Sequence, residues 1–233
     1  MKTLKVVLLL FANLLVLFGD AVAAEKQKII VEKNEYGGKT VEVIPGPEDE
    51  HYNDLLKEII YFDNTEKVTK VEHFYTDKFA DGKGYSKSIA HYGGNGKVSR
   101  EEQFYTDKFA REKGGFKSIA YYGNNEKMTE IESLYTDRFA DRKGYYKSVA
   151  YYDDTEKVTR LESFYTDRFA DDKGYYKTIS YYDGKGKVTK LESFYADKFA
   201  GVRGFDKIIS YYDGNEETIR AEYYMNGRLI PTK

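Results

Sequence analysis

The sequence predicts an all-β chain, an elongated antiparallel meander or solenoid of tandem 30-residue β-hairpin repeats. Three observations carry this reading. FYTDKFA at Phe74–Ala80 returns as FYTDKFA at 104–110, LYTDRFA at 134–140, FYTDRFA at 164–170 and FYADKFA at 194–200, a step of 30 residues without insertion. Self-similarity at a fixed period is the mark of a repeat architecture. Between these motifs lie runs such as GYYKTISYY at 174–182, whose aromatic and β-branched residues suit a pleated, half-buried surface. Turn signals separate the runs, among them Asn226-Gly227 between apolar residues and Asp183-Gly184-Lys185-Gly186 after Tyr182.

Taken in order, residues 1–24 read as a signal peptide. Lys2 and Lys5 form a basic start, Val6–Phe18 an apolar run, and Ala21-Val22-Ala23-Ala24 a small-residue cleavage site. The apolar run is shorter than the ~20 residues a spanning helix needs, and no later segment is apolar enough to cross a bilayer. The expected localisation is therefore secreted or periplasmic. Residues 25–52 form an N-terminal hairpin cap and acidic linker. The hairpin turns at Gly37-Gly38, and Pro45, Pro47 and Glu48-Asp49-Glu50 break the chain after it. The array occupies 53–229, with a half copy at Leu55–Asp63, five full copies, and a truncated last copy at Thr218–Leu229. Residues 230–233 are a tail.

Two arrangements compete for a single copy. Val158, Leu161, Tyr165 and Phe169 recur at helical spacings of 3, 4 and 4, which favours a strand-plus-helix repeat. Thr159, Ser163, Phe164, Tyr165 and Thr166 are poor helix formers. The Asn-Gly turn in the last copy favours two antiparallel strands joined by a loop around Asp167–Gly174, and this is the reading adopted. At ~4.8 Å between strands, each copy adds ~10 Å to the length of the array.

A Tyr-rich strand followed by a Gly-Lys turn, as in Tyr92-Gly93-Gly94-Asn95-Gly96-Lys97-Val98 and Tyr182–Val188, resembles MORN-type repeats, most of all the bacterial YwqK-type variant. The resemblance is architectural, at a longer, 30-residue period. It implies a β-hairpin array used as a scaffold or binding surface.

Composition narrows the chemistry. The chain carries 37 basic and 39 acidic residues, a net charge of -2, without the basic face that nucleic acid demands. It has no cysteine, which excludes disulfides, zinc–thiolate sites and a cysteine nucleophile. His51, His73 and His91 are scattered and do not recur with the period. No catalytic constellation, metal site or cofactor motif emerges. Asp167 and its equivalents lie in a loop with carboxylates in some copies, but Asp171 is Arg111 in the second copy and Gly201 in the fifth. Such loops cannot supply the six to eight oxygens of a calcium site, and an Asx-type turn is expected at Asp167.

The recurring residues divide by role. Phe79, Phe109, Phe139, Phe169 and Phe199 are expected to pack between hairpins. Gly84, Gly114, Gly144, Gly174 and Gly204 are expected at positive-φ or crowded backbone positions. Glu162 and Lys177, with their equivalents, are expected to form a cross-strand ion-pair ladder. Tyrosine, at 24 residues, is the signature of the chain. Paired tyrosines such as Tyr151-Tyr152 must point to opposite faces of a strand. The row Tyr92, Tyr122, Tyr152, Tyr182 and Tyr212 is therefore the candidate ligand platform. The expected function is a non-enzymatic exported scaffold whose partner is a protein or a surface or cell-wall polysaccharide. The alternatives are a structural, self-assembling protein and, last, an enzyme. Nothing in the sequence sets the oligomeric state.

Overall fold

The structure, a computed structural model, describes residues 28–34, 37–47 and 49–231. The predicted signal peptide lies outside them. The described chain is one 15-stranded antiparallel sheet in which spatial order equals sequence order throughout, so the predicted meander is what the chain forms. Strands β1 (Lys28–Lys33) and β2 (Lys39–Ile44) make the N-terminal hairpin. The half copy contributes β3 (Leu55–Phe62), and its hairpin partner β4 (Val68–Tyr75) belongs to the first full copy. The copies then run β5 (Tyr85–Tyr92), β6 (Val98–Tyr105), β7 (Gly115–Tyr122), β8 (Met128–Tyr135), β9 (Tyr145–Tyr152), β10 (Val158–Tyr165), β11 (Tyr175–Tyr182), β12 (Val188–Tyr195) and β13 (Lys207–Tyr212). The last are β14 (Thr218–Met225) and β15 (Arg228–Ile230). Ile230, assigned to the tail from sequence, is thus the last strand residue. Fourteen steps of about 4.8 Å span roughly 65–70 Å.

One prediction needs correction. The segment Asp167–Gly174 is not a loop but a helix, and so are its equivalents: α1 (Asp77–Lys83), α2 (Asp107–Lys113), α3 (Asp137–Lys143), α4 (Asp167–Lys173) and α5 (Asp197–Arg203). The local chemistry explains it. Thr166 sits in an extended conformation at the N-cap and its hydroxyl accepts from the Phe169 N–H, Asp167 lies in the first turn where negative charge is favoured, and Gly174 closes the helix at φ 96°. Asp167 is therefore a first-turn residue. The Asx turns occur instead at the opposite ends of the strands. There the Asp153 Oδ1 accepts from the N–H of Thr155 at 2.8 Å and of Lys157 at 3.1 Å, and Asp63, Asp183 and Asp213 repeat the arrangement.

Helices therefore line one long rim of the sheet and tight turns line the other. Along the turn rim four lysines reach a carbonyl of the following turn. Lys97 Nζ donates to the Asn124 oxygen at 3.3 Å and Lys157 Nζ to that of Gly184 at 2.8 Å, while Lys127 and Lys187 do the same to Asp154 and Gly214. Along the helix rim the N–H of Thr136 donates to the Gly114 oxygen and that of Thr166 to the Gly144 oxygen, both at 2.8 Å. Each copy is thereby bonded to the next at both rims, the nearest-neighbour coupling of a repeat protein.

No second layer covers the sheet among the described residues. The thickest apolar cluster is at the N-terminal end, where Ile60, Phe62 and Val71 pack with Val41, Val68 and Tyr92. The hairpin β1–β2 adds to this end by pairing β2 with β3. It covers the array's first strand but leaves β1 as the new edge. At the far end Asn226 and Gly227 both take positive φ, 51° and 74°, in a two-residue connection between Met225 and Arg228. That is the turn Asn-Gly favours, because its twist matches the flanking strands.

Candidate binding surface

Residues directly opposite on antiparallel strands share a face, so the register separates the two faces. One, the helix face, carries Tyr152, Ala150, Leu161, Ser148, Ser163, Tyr145 and Tyr165. The other, the ladder face, carries Tyr151, Arg160, Val149, Glu162, Lys147 and Phe164. Tyr151 and Tyr152 lie on opposite faces, as alternation requires.

On the helix face α4 turns Phe169 back onto Tyr165, with stacked rings 4.7 Å apart, and sets it edge-on to Tyr175 at 5.5 Å. Tyr75 and Phe79, Tyr105 and Phe109, and Tyr135 and Phe139 stack in the same way. From the second copy on, each phenylalanine also faces the helix-closing glycine of the preceding copy. A Cβ built on Gly84 would meet Phe109 at 2.4 Å, one on Gly114 would meet Phe139 at 2.0 Å, and one on Gly144 would meet Phe169 at 2.1 Å. Gly174 meets Phe199 at 3.0 Å, and Gly204, after the last helix, meets nothing. The tyrosines stacked on these rings bend over a serine row, Tyr75 to Ser88 at 2.8 Å and Tyr105 to Ser118 at 3.0 Å.

The sequence-predicted platform, Tyr92, Tyr122, Tyr152, Tyr182 and Tyr212, lies on this helix face near the turn rim. All five are half-buried. Burial pushes the Tyr122 hydroxyl up to about 12, helped by Glu101, which accepts its hydrogen bond at 3.1 Å. Burial raises Tyr92 and Tyr152 as well.

The ladder face is a woven lattice of three rows running across the strands. The middle row alternates glutamate with a β-branched residue: Glu132, Val149, Glu162, Ile179, Glu192, Ile209. The row on its turn side alternates tyrosine with a cation, and the row on its helix side alternates lysine with phenylalanine. Glu72, Glu102, Glu162 and Glu192 are thus offered a cation from both sides, whereas Glu132 has Lys147 at 2.7 Å on its helix side and Glu130 in the turn-side row. Lys177 Nζ lies 2.7 Å and Arg160 Nε 3.4 Å from Glu162, and Glu72 is held by Lys87 at 2.6 Å and Lys70 at 2.8 Å. Burial alone would raise the Glu72 carboxyl, but its hydrogen bonds and charge contacts to Lys70 and Lys87 outweigh this and hold it at about 2. The lysines also lie over aromatic rings, Lys177 at 4.8 Å from Phe164 and Lys117 at 4.6 Å from Phe104. The long stems of these charged side chains cover the Ile and Val row, which explains how Val149 is only 4% exposed without a second layer.

The most exposed aromatic row on this face is one the sequence reading did not single out. The five hairpins from β3–β4 to β11–β12 carry a β-bulge near the helix rim, falling between Tyr145 and Lys147 in β9 and between Tyr175 and Lys177 in β11. A bulge inserts one extra residue and re-aims its side chain. The inserted residues are Leu56, Ser86, Phe116, Tyr146 and Tyr176, and the three aromatics are 43%, 45% and 47% exposed. Tyr176 leans toward Phe194, ring centres 6.4 Å apart, which places the row on the ladder face beside the lysines. A sequence signal did exist. These positions vary from copy to copy while Lys117, Lys147 and Lys177 beside them do not.

Two histidines are tied to glutamates of the sheet: His91 takes a tyrosine position in the turn-side row, its Nε2 3.2 Å from Glu102, and His73 lies on the helix face. His73 Nε2 is 2.7 Å from Glu58, and its Nδ1 is 3.5 Å from Ser88 Oγ. Ser88 is only 5% exposed and its hydroxyl is bonded to Tyr75. Buried polar groups paired in this way are structural cross-links. Among the described residues no group of His, Asp and Glu side chains is arranged to hold a metal ion, and no helix is long and apolar enough to cross a membrane. No protein-family model and no curated protein matches the chain.

Proposed function

We propose that the chain is an exported, non-enzymatic repeat scaffold of the MORN-like kind, binding an extended polysaccharide along its ladder face. The supporting observation is the row of bulge aromatics, Phe116, Tyr146 and Tyr176, set one copy apart beside Lys117, Lys147 and Lys177. A flat ring gives a sugar a large apolar contact at low entropic cost, and the neighbouring ammonium groups supply hydrogen-bond donors to hydroxyls. One such contact is weak, and a polymer that engages several gains by effective concentration. The half-buried row Tyr92, Tyr122, Tyr152, Tyr182 and Tyr212 is the second surface on which the same partner, or a protein, would dock.

Glycan-array binding followed by affinity electrophoresis tests the proposal. The triple substitution Phe116→Ala, Tyr146→Ala and Tyr176→Ala is expected to abolish retention while thermal unfolding stays close to that of the parent. Retention that survives the triple change, or a parent that binds no glycan, sinks the reading. A second reading, self-assembly through sheet edges, draws on one feature. The outer side of β14 is paired by β15 only from Tyr223 to Met225, and β1 has no outer neighbour among the described residues. Concentration-dependent growth in sedimentation velocity would favour it, although Lys28, Glu32 and Lys33 on β1 are the kind of charges that discourage edge pairing.

A further inference from the structure

The helix rim carries an ion-pair series of its own, and it is broken at one place. Lys108 of α2 pairs with Asp81 of α1 at 3.4 Å, Arg168 of α4 with Asp141 of α3 at 4.0 Å, and Lys198 of α5 with Asp171 of α4 at 3.3 Å. In each case the second residue of one helix meets the fifth residue of the helix before it. Between α2 and α3 the same geometry brings Arg138 to position 111, where the aspartate is replaced by arginine. Two guanidinium groups therefore stand where every other seam has a cation and a carboxylate. Arg142 adds a third, lying 5.7 Å over the Phe139 ring. None of the three makes an ion pair among the described residues.

Two further observations mark the seam as different. Ala80, Ala140, Ala170 and Ala200 are buried, yet Ala110, at the same place in α2, is not. A pocket of about 210 Å³ lies at this seam, lined by Arg111, Arg138, Arg142, Asp107, Thr136 and Phe139 among others. Thr136, which lines the pocket, accepts from the Phe139 N–H through its Oγ1 at 3.4 Å, a bond that does not use its own hydroxyl hydrogen. Three guanidinium groups and the Asp107 carboxylate leave a net charge of about +2, the complement of a dianion.

We propose that the α2–α3 seam is a binding site for a phosphate or sulfate group. Planar guanidinium forks match pairs of oxygens on such a group and form charge-assisted hydrogen bonds. The anion takes the place that the missing carboxylate holds at the other seams, and relieves the repulsion between Arg111 and Arg138. The site faces away from the ladder face, so it stands or falls independently of the polysaccharide proposal.

The test is a ¹H–¹⁵N NMR titration of the whole exported chain with inorganic phosphate and then sulfate, at ionic strength held constant with sodium chloride. Saturable shifts are expected at residues 107–114 and 136–143 and not at the other three seams. Arg111→Asp recreates the residue that α1, α3 and α4 carry, so the fold should persist, and affinity should fall at least tenfold. Arg142→Gln, a second variant, should weaken binding while leaving Arg111 and Arg138 in place. A column bearing a phosphorylated or sulfated polysaccharide separates the two sources of the anion. Retention that free phosphate competes away assigns the group to a polymer, and its absence beside a positive titration assigns the site to the free ion. Shifts spread evenly over all seams, or binding unchanged in Arg111→Asp, overturn the proposal.

Discussion

At the scale of single residues the repeat is held by what is absent as much as by what is present. Gly144 meets two demands at once. It closes α3 at φ 92°, and its missing Cβ leaves room for Phe169 of the next copy, which a methyl group would approach to 2.1 Å. Gly204 meets only the first, at φ 77° with open space around it. Left-handed backbone costs an L-residue about 1–2 kcal/mol, and overpacking adds about 1–3 kcal/mol. Gly204→Ala should therefore lower stability by about 1 kcal/mol and Gly144→Ala by roughly two to four times as much, read by urea denaturation. Equal losses at the two sites would remove the packing role assigned to Gly144. The glycine row was legible because it recurs every 30 residues. Its double duty was not, since no spacing in the sequence says which copy's phenylalanine meets which glycine.

At the scale of elements the five helices provide their own controls. Thr76, Thr106, Thr136 and Thr166 cap α1 to α4 through a side-chain oxygen, whereas α5 begins after Ala196, which has no such bond. Ala196→Thr should supply the missing cap and stabilise the C-terminal end by about 1 kcal/mol. Hydrogen exchange in residues 197–204 should slow, and unchanged exchange there would argue against it. These helices also show where sequence reasoning falters. The spacing of Val158, Leu161 and Tyr165 looks helical, yet all three lie on one face of a strand, because a bulge between Val158 and Arg160 shifts the alternation by one. A bulge thus imitates a helical period, while the true helix, seven residues long, is too short to display one. Its cap signals, Thr166, Asp167 and Gly174, were present all along. The bulge aromatics were hidden for the same reason: strict alternation has no place for an inserted residue such as Tyr146.

At the scale of the whole molecule the copies are interchangeable lengths of sheet. Deleting residues 121–150 joins Ala120 to Tyr151 in phase and removes two strands and one helix. Small-angle scattering should show the long dimension reduced by ~10 Å, and a polymer that spans the array should bind more weakly in proportion to the lost contact. A chain that collapses or aggregates after this deletion would show that the copies are not equivalent. The strict neighbour-to-neighbour order of the strands has a bearing on how such a chain is made. Lysine bonds that tie one turn to the next reach across only 27 residues, and strands adjacent in space are adjacent in sequence from first to last. Contact order is therefore low for an all-β protein, whose non-local pairings ordinarily make folding slow. A nascent chain need not wait for its end. Each hairpin finds a finished template behind it, and the sheet grows one copy at a time at the rate the chain is delivered.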